Sequence, residues 1–127
     1  MILIRAEVKG EPDAPPFTRF FECQDDLDDV LFFELIKRIK DKLLNNLKIN
    51  MNESLVMYCG YIIEQLRNHI SIPNIQRNAA KLLRPQDVMI GVPETLRKIS
   101  FFVNLDNLPR KKILFHEPIS VMCYEMQ

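Results

Sequence analysis

The chain has 127 residues, in which seventeen Lys plus Arg balance seventeen Asp plus Glu. That length is enough for one domain to bury a core without staples, and the zero net charge offers no global field to draw nucleic acid or an anionic membrane surface. Apolar residues at 47% and charged residues at 27% give the balance of a chain that folds, which excludes the disordered class.

Residues 2–8, Ile-Leu-Ile-Arg-Ala-Glu-Val, are rich in strand formers and read as a short strand. The segment 10–16, GEPDAPP, holds three prolines and forbids helix, so residues 1–24 read as an N-terminal extension or arm, with Phe17, Phe20 and Phe21 on it. From Asp25 to about Asn45, Leu27, Val30, Leu31, Leu35, Ile39, Leu43 and Leu44 recur at helical spacing and predict one buried face. Asp25, Asp26, Asp28 and Asp29 at its start and Lys37, Arg38, Lys40 and Lys42 toward its end both suit the helix dipole.

Asn50 and Glu53 have the spacing of a capping box, so a second helix begins there. It buries Leu55, Tyr58, Cys59, Ile62 and Leu66, and Gly60 in its middle implies close helix packing. Pro73 suits the first turn of a third helix running to about Leu83, which Arg84-Pro85 ends. Residues 86–90 and 93–97 read as two helical turns separated by Gly91. Two β-rich runs, 99–105 and 112–116, flank a turn at 106–111 and predict a C-terminal hairpin. Phe101 and Phe102 are adjacent on the first run, so one ring points to each face. Both faces then need cover, from a partner chain or from a helix of this one.

The order of elements, a helical bundle followed by an antiparallel β-hairpin, makes the fold class α+β. Residues 25–127 form its domain.

Chemistry is sparse. Three glycines leave no room for a dinucleotide fingerprint or a P-loop. Cys23, Cys59 and Cys123 are odd in number and widely spaced, which fits a reducing, cytoplasmic setting rather than a disulfide framework or a paired metal motif. His69 and His116 stand alone, without the spacing of metal ligands. His116 and Glu117 lack a nucleophile to serve, so His116 reads as a structural or interface group at the hairpin exit. The four aspartates belong to a helix start, and Arg110, Lys111 and Lys112 form a turn too small for nucleic acid. No apolar run approaches the roughly 18 residues of a membrane span. No residue receives a catalytic or metal-binding role.

Two stretches resemble the gamma subunit of urease. The first, LKINMNESLVMYCGYIIEQLRN from Leu47 to Asn68, carries Lys48, Asn50, Glu53, Ile62, Glu64 and Arg67 at the family's places. The second, Leu82 to Ile119, carries Asp87, Val88, Met89, Gly91, Val92, Pro93, Glu94, His116, Pro118 and Ile119. Asn68-His69 departs from the family's usual Asp-Gly, the hairpin turn is one residue longer, and some twenty residues precede the first match.

The resemblance implies a non-catalytic chain of an amidohydrolase complex for urea catabolism. Urea would be hydrolysed to ammonia and carbamate at nickel held by an alpha subunit, with none bound by this chain. Its implied partners are the beta and alpha chains, in a trimer of heteromeric protomers. Lys48, Asn50, Glu53, Arg67, Asp87, Gly91, Pro93, Glu94, His116, Pro118 and Ile119 are then family-motif or interface residues. A stand-alone interaction module without urease activity is the alternative.

Overall fold

Alternation of Ile2, Ile4, Ala6 and Val8 with Leu3, Arg5 and Glu7 puts four apolar side chains on one face of an extended segment, and in the computed structural model this is strand β1, Ile2–Lys9. The structure describes residues 1–120. Cys123 lies outside them, as does the end of the expected 25–127 domain.

The proline-bearing segment 10–16 turns β1 back into β2, Phe17–Cys23, with Ile4 opposite Phe21. On its other side β1 pairs with β3, Lys98–Leu105, which pairs in turn with β4, Lys111–His116. The sheet is antiparallel, in the order β2-β1-β3-β4. The expected C-terminal hairpin is present, and the α+β class holds. Residues 1–24, expected as an extension or arm, supply two of the four strands, one of them interior. Prolines that forbid helix also favour a turn, and here they make a hairpin rather than a tether.

Strand alternation decides the two faces. Ile2, Ile4, Ala6, Val8, Ile99, Phe101, Val103, Leu105, Ile113 and Phe115 are all buried and face the helices. On the open face Phe102 lies under the Arg5 guanidinium, 4.3 Å from the ring centre, and near the Lys112 ammonium at 5.4 Å. These cations cover part of the ring by cation–π attraction, and no helix of this chain lies on that face among the described residues.

Helix α1, Asp26–Leu44, starts and stops where the sequence indicates. Asp25 caps it by accepting from the Asp28 N–H at 2.9 Å, and Asn46 follows it at φ 59°. Its buried face shares only Ile39 and Leu43 with the expected one. Ile36 and Ile39 are buried, with Phe32 and Leu43 packed beside them. Leu27, Val30, Leu31, Leu35 and Leu44 are exposed, at 66%, 58%, 59%, 44% and 80%. The helix carries apolar residues on two faces, and periodicity alone does not choose between them.

Helix α2, Met51–Arg67, runs through the centre and buries every residue of its predicted stripe. A methyl group added at Gly60 would run into the Ile36 side chain on α1, which is the close approach that the glycine suggested. Helix α3, Ile72–Ala79, begins with Pro73 in its first turn. It ends before Leu83, because the Lys81 and Leu82 N–H groups bond to Asn78 and Ala79 at the tighter 3-10 spacing. The turn expected over 86–90 is a short 3-10 stretch, Pro85–Asp87, after which Val88 forms a parallel bridge with Ile49. Helix α4, Val92–Thr95, leads into β3.

Tyr58 is fully buried, with its ring edge-on to Phe115 at 5.4 Å, yet its hydroxyl has no hydrogen-bond partner among the described residues. Burial pushes its phenol far above the ordinary value. Tyr58→Phe keeps the ring and removes an orphaned polar atom, so the unfolding free energy from urea titration should hold or rise, by up to about 1 kcal/mol. A loss larger than that would show that the hydroxyl has a partner.

Candidate functional site

The motif residues gather chiefly at one corner, where the chain entering α2 meets the segment before α4. Asn50 and Glu53 form the predicted capping box: the Glu53 N–H donates to Asn50 Oδ1 at 2.8 Å and the Asn50 N–H to Glu53 Oε1 at 3.1 Å. The second Glu53 oxygen accepts from Lys42 Nζ at 2.7 Å, which joins α1 to α2. Lys48 Nζ donates to the Gln86 carbonyl at 3.0 Å, the Ile49 N–H to the Asp87 carbonyl at 3.0 Å, and the Met89 N–H to the Ile49 carbonyl at 2.9 Å. The two matched stretches are thereby laced together.

Asp87 faces Arg84, which donates through its backbone N–H at 2.8 Å and its guanidinium at 2.9 and 3.1 Å. These bonds hold the Asp87 carboxyl below its ordinary value against the opposing effect of burial. Gly91 sits at φ 91°, in the left-handed region that glycine adopts without strain, and precedes α4. Pro93 occupies the first turn of α4, and Thr95 closes it by donating to the Gly91 carbonyl at 2.8 Å. One Glu94 oxygen is enclosed without a hydrogen-bond partner among the described residues. Between these anchors Met89 is 46% exposed and Ile90 is fully exposed, an apolar tip on a loop tied at Met89 to the Ile49 carbonyl and the Val92 N–H.

The hairpin exit reaches the same corner from the sheet. The Glu117 N–H donates to the Arg97 carbonyl, Pro118 and Ile119 are buried, and His116 stays exposed. Arg67 lies elsewhere. Its guanidinium meets Asp106 at 3.2 and 3.3 Å, in the β3–β4 turn, and Asp106 also takes the N-terminal ammonium at 3.5 Å. Since β3 runs from Lys98 beside His116 to Leu105 beside this turn, Arg67 and His116 sit at opposite ends of the sheet.

Among the described residues no three His, Cys, Asp or Glu side chains gather as a metal-binding group. His69 borders a cavity of about 280 Å³ with Leu105 and Leu108, at the end of the sheet away from His116, so the two imidazoles do not converge. No helix among the described residues is long and apolar enough to cross a membrane. Sequence reasoning did not identify Lys42, Arg84 and Asp106 as the partners of motif residues. Arg84 was legible from its three-residue spacing to Asp87, whereas Lys42 and Asp106 come from other elements.

Burial raises the Glu53 carboxyl, but Lys42 and the Asn50 N–H outweigh it and hold the group below its ordinary 4.5. A carboxyl depressed in the folded state contributes stability that is complete above the unfolded value and lost as pH falls through the folded one. Stability should therefore fall on acidification below pH 4.5. Glu53→Gln should flatten that slope in urea titrations; an unchanged slope would place the acid sensitivity elsewhere.

The sequence model of the family described as "Urease, gamma subunit" matches residues 23–119. A urease subunit gamma of Halalkalibacterium halodurans is 30% identical over 80 residues, covering 63% of this chain and 79% of the relative. One from Haloquadratum walsbyi is 29% identical over 86 residues, covering 68% and 76%. A urease subunit alpha of Campylobacter lari is 30% identical over 84 residues, which span 66% of this chain and 37% of that longer protein. With the corner that carries both motif stretches inside the matched range, the chain belongs to the urease gamma subunit family.

Proposed function

We propose that this chain is the structural, non-catalytic gamma-type subunit of a cytoplasmic urease. Urea is hydrolysed to ammonia and carbamate at nickel held by an alpha-type chain, and beta and alpha chains assemble with this one into a trimer of heteromeric protomers. Its own residues bind and position. The observation that carries this reading is the corner around Gly91: Lys48, Ile49 and Asp87 are spent on tying down the chain before a loop, Asn50 and Glu53 fix the helix start beside it, and that loop presents Met89 and Ile90 outward. A preordered apolar tip loses little entropy on docking, which suits a subunit contact. His116 at the same corner and Arg67 at the far end of the sheet extend the proposed contact surface.

The test is recovery of tagged full-length chain from its source cells, with mass spectrometry of its partners and assays for nickel and urea hydrolysis. A large nickel-bearing chain with activity is expected, and Ile90→Asp should cut its recovery at least about tenfold, a loss of roughly 1.4 kcal/mol, with the circular dichroism melt unchanged. Recovery of a lone chain or of unrelated partners would sink the reading. It would favour a stand-alone interaction module, which the position of β1 outside the family match also supports.

A further inference from the structure

One flank of the molecule has an open edge in both of its layers. In the sheet, β2 is the outer strand beside β1, and no second strand pairs with it among the described residues; beyond β1 its Thr18 carbonyl accepts only from its own Arg19 guanidinium, at 3.2 Å. In the helical layer α1 packs against β2, whereas the opposite flank is closed by α3 against β4, with Gln76 donating to the Leu114 carbonyl at 3.0 Å. Leu27, Val30, Leu31 and Leu35 form an exposed stripe along α1, and Phe20 on β2 is 67% exposed. An edge strand left unpaired beside an apolar helix face is a template for another chain.

We propose that this flank binds a second copy of the chain about a two-fold axis, extending the sheet from four strands to eight and packing α1 against its own mate. Three features select a second copy. First, antiparallel pairing of β2 with itself, centred on Phe20, keeps the helices of both copies on one side, because residues whose numbers sum to an even value share a face. Phe20 then meets Phe20, Thr18 meets Glu22, and Arg19 lies across from Phe21, which are aromatic, hydrogen-bonding and cation–π pairs with no like charges opposed.

Second, the same axis runs the two α1 helices antiparallel. The acidic start of one, with Asp26 and Asp28, then faces the basic half of the other, with Lys37 and Arg38. Third, a stable pair needs on the order of 1,000 Å² of buried surface, more than a seven-residue strand edge supplies, and the α1 stripe lies alongside that edge to add to it. The inference does not depend on the urease reading, since β2 lies almost wholly outside the family match.

Sedimentation of the full chain across the micromolar range tests the idea. A species of twice the 15.0 kDa chain mass is expected, weakened by salt and, in Leu31→Glu, by at least about tenfold. Leu31 is exposed, so this variant should keep the melting curve of the parent. Phe20→Cys in a Cys123→Ser background should join two copies through a short thiol crosslinker, whereas Cys123→Ser alone should not. A chain that stays monomeric, a pair indifferent to Leu31→Glu, or a pair that fails to crosslink at position 20 would each overturn the proposal. So would capture of a different chain at position 20 in the complex purified from source cells.

Discussion

Phe115→Ala is expected to lower the unfolding free energy by about 4 kcal/mol, the upper part of the range for emptying a buried aromatic site. Phe115 is 2% exposed and joins three elements, with ring centres 5.0 Å from Phe101 on β3 and 5.4 and 6.3 Å from Tyr58 and Tyr61 on α2. Lost transfer energy contributes about 2 kcal/mol, and the rest comes from the cavity and from broken edge-to-face contacts of about 1 kcal/mol each. The neighbours have little freedom to collapse, because Phe101 is pinned by strand pairing to β1 and Tyr61 by its hydroxyl, which donates to the Ile75 carbonyl at 2.8 Å. Domains of this kind are stable by about 5–15 kcal/mol, so the variant should unfold at markedly lower urea. A cost below about 1.5 kcal/mol would mean that the sheet and α2 close over the gap.

A chain that begins at Gln24 should fail to fold. It would contain nearly all of the segment that matches the family, but it would lack β1, whose Ile2, Ile4, Ala6 and Val8 are at most 1% exposed. Burial of the three larger side chains is worth about 2 kcal/mol each, roughly 6 kcal/mol together and comparable with the whole margin of a small domain. The deletion also bares the β3 edge from Lys98 to Leu105 and removes the N-terminal ammonium that Asp106 holds. Amide NMR should show collapsed dispersion, and circular dichroism should show no cooperative melt. A sharp melt would show instead that the matched segment stands alone and that the N-terminal hairpin is an addition to it.

How much was legible in the sequence follows the range of the interactions. The α2 start was readable because a capping box is closed between residues three apart, Asn50 and Glu53. The break at Gly91 and the β3–β4 hairpin were readable for the same local reason. The α1 face was not, because Leu27, Val30, Leu31 and Leu35 satisfy helical periodicity as well as Phe32, Ile36, Ile39 and Leu43 do. The choice fell to α2, whose Gly60 admits the Ile36 side chain and so rotates the second set inward. For the candidate site, the motif residues were identified individually, but their division between the Gly91 corner and the Asp106 turn was not.

By itself, then, the sequence determined where α2 begins, where the C-terminal hairpin lies, the break at Gly91, and through its two motif stretches the urease gamma subunit family. Each of these rests on contacts within a few residues or on an order of residues along the chain. Only the tertiary structure decided that residues 2–23 complete the sheet, that one apolar face of α1 is left outward, and that Arg67 reaches Asp106 across 39 positions. Strand partners and helix rotations are chosen by competition among surfaces distant in sequence, and the outcome depends on which pairing buries most apolar area with its polar groups satisfied.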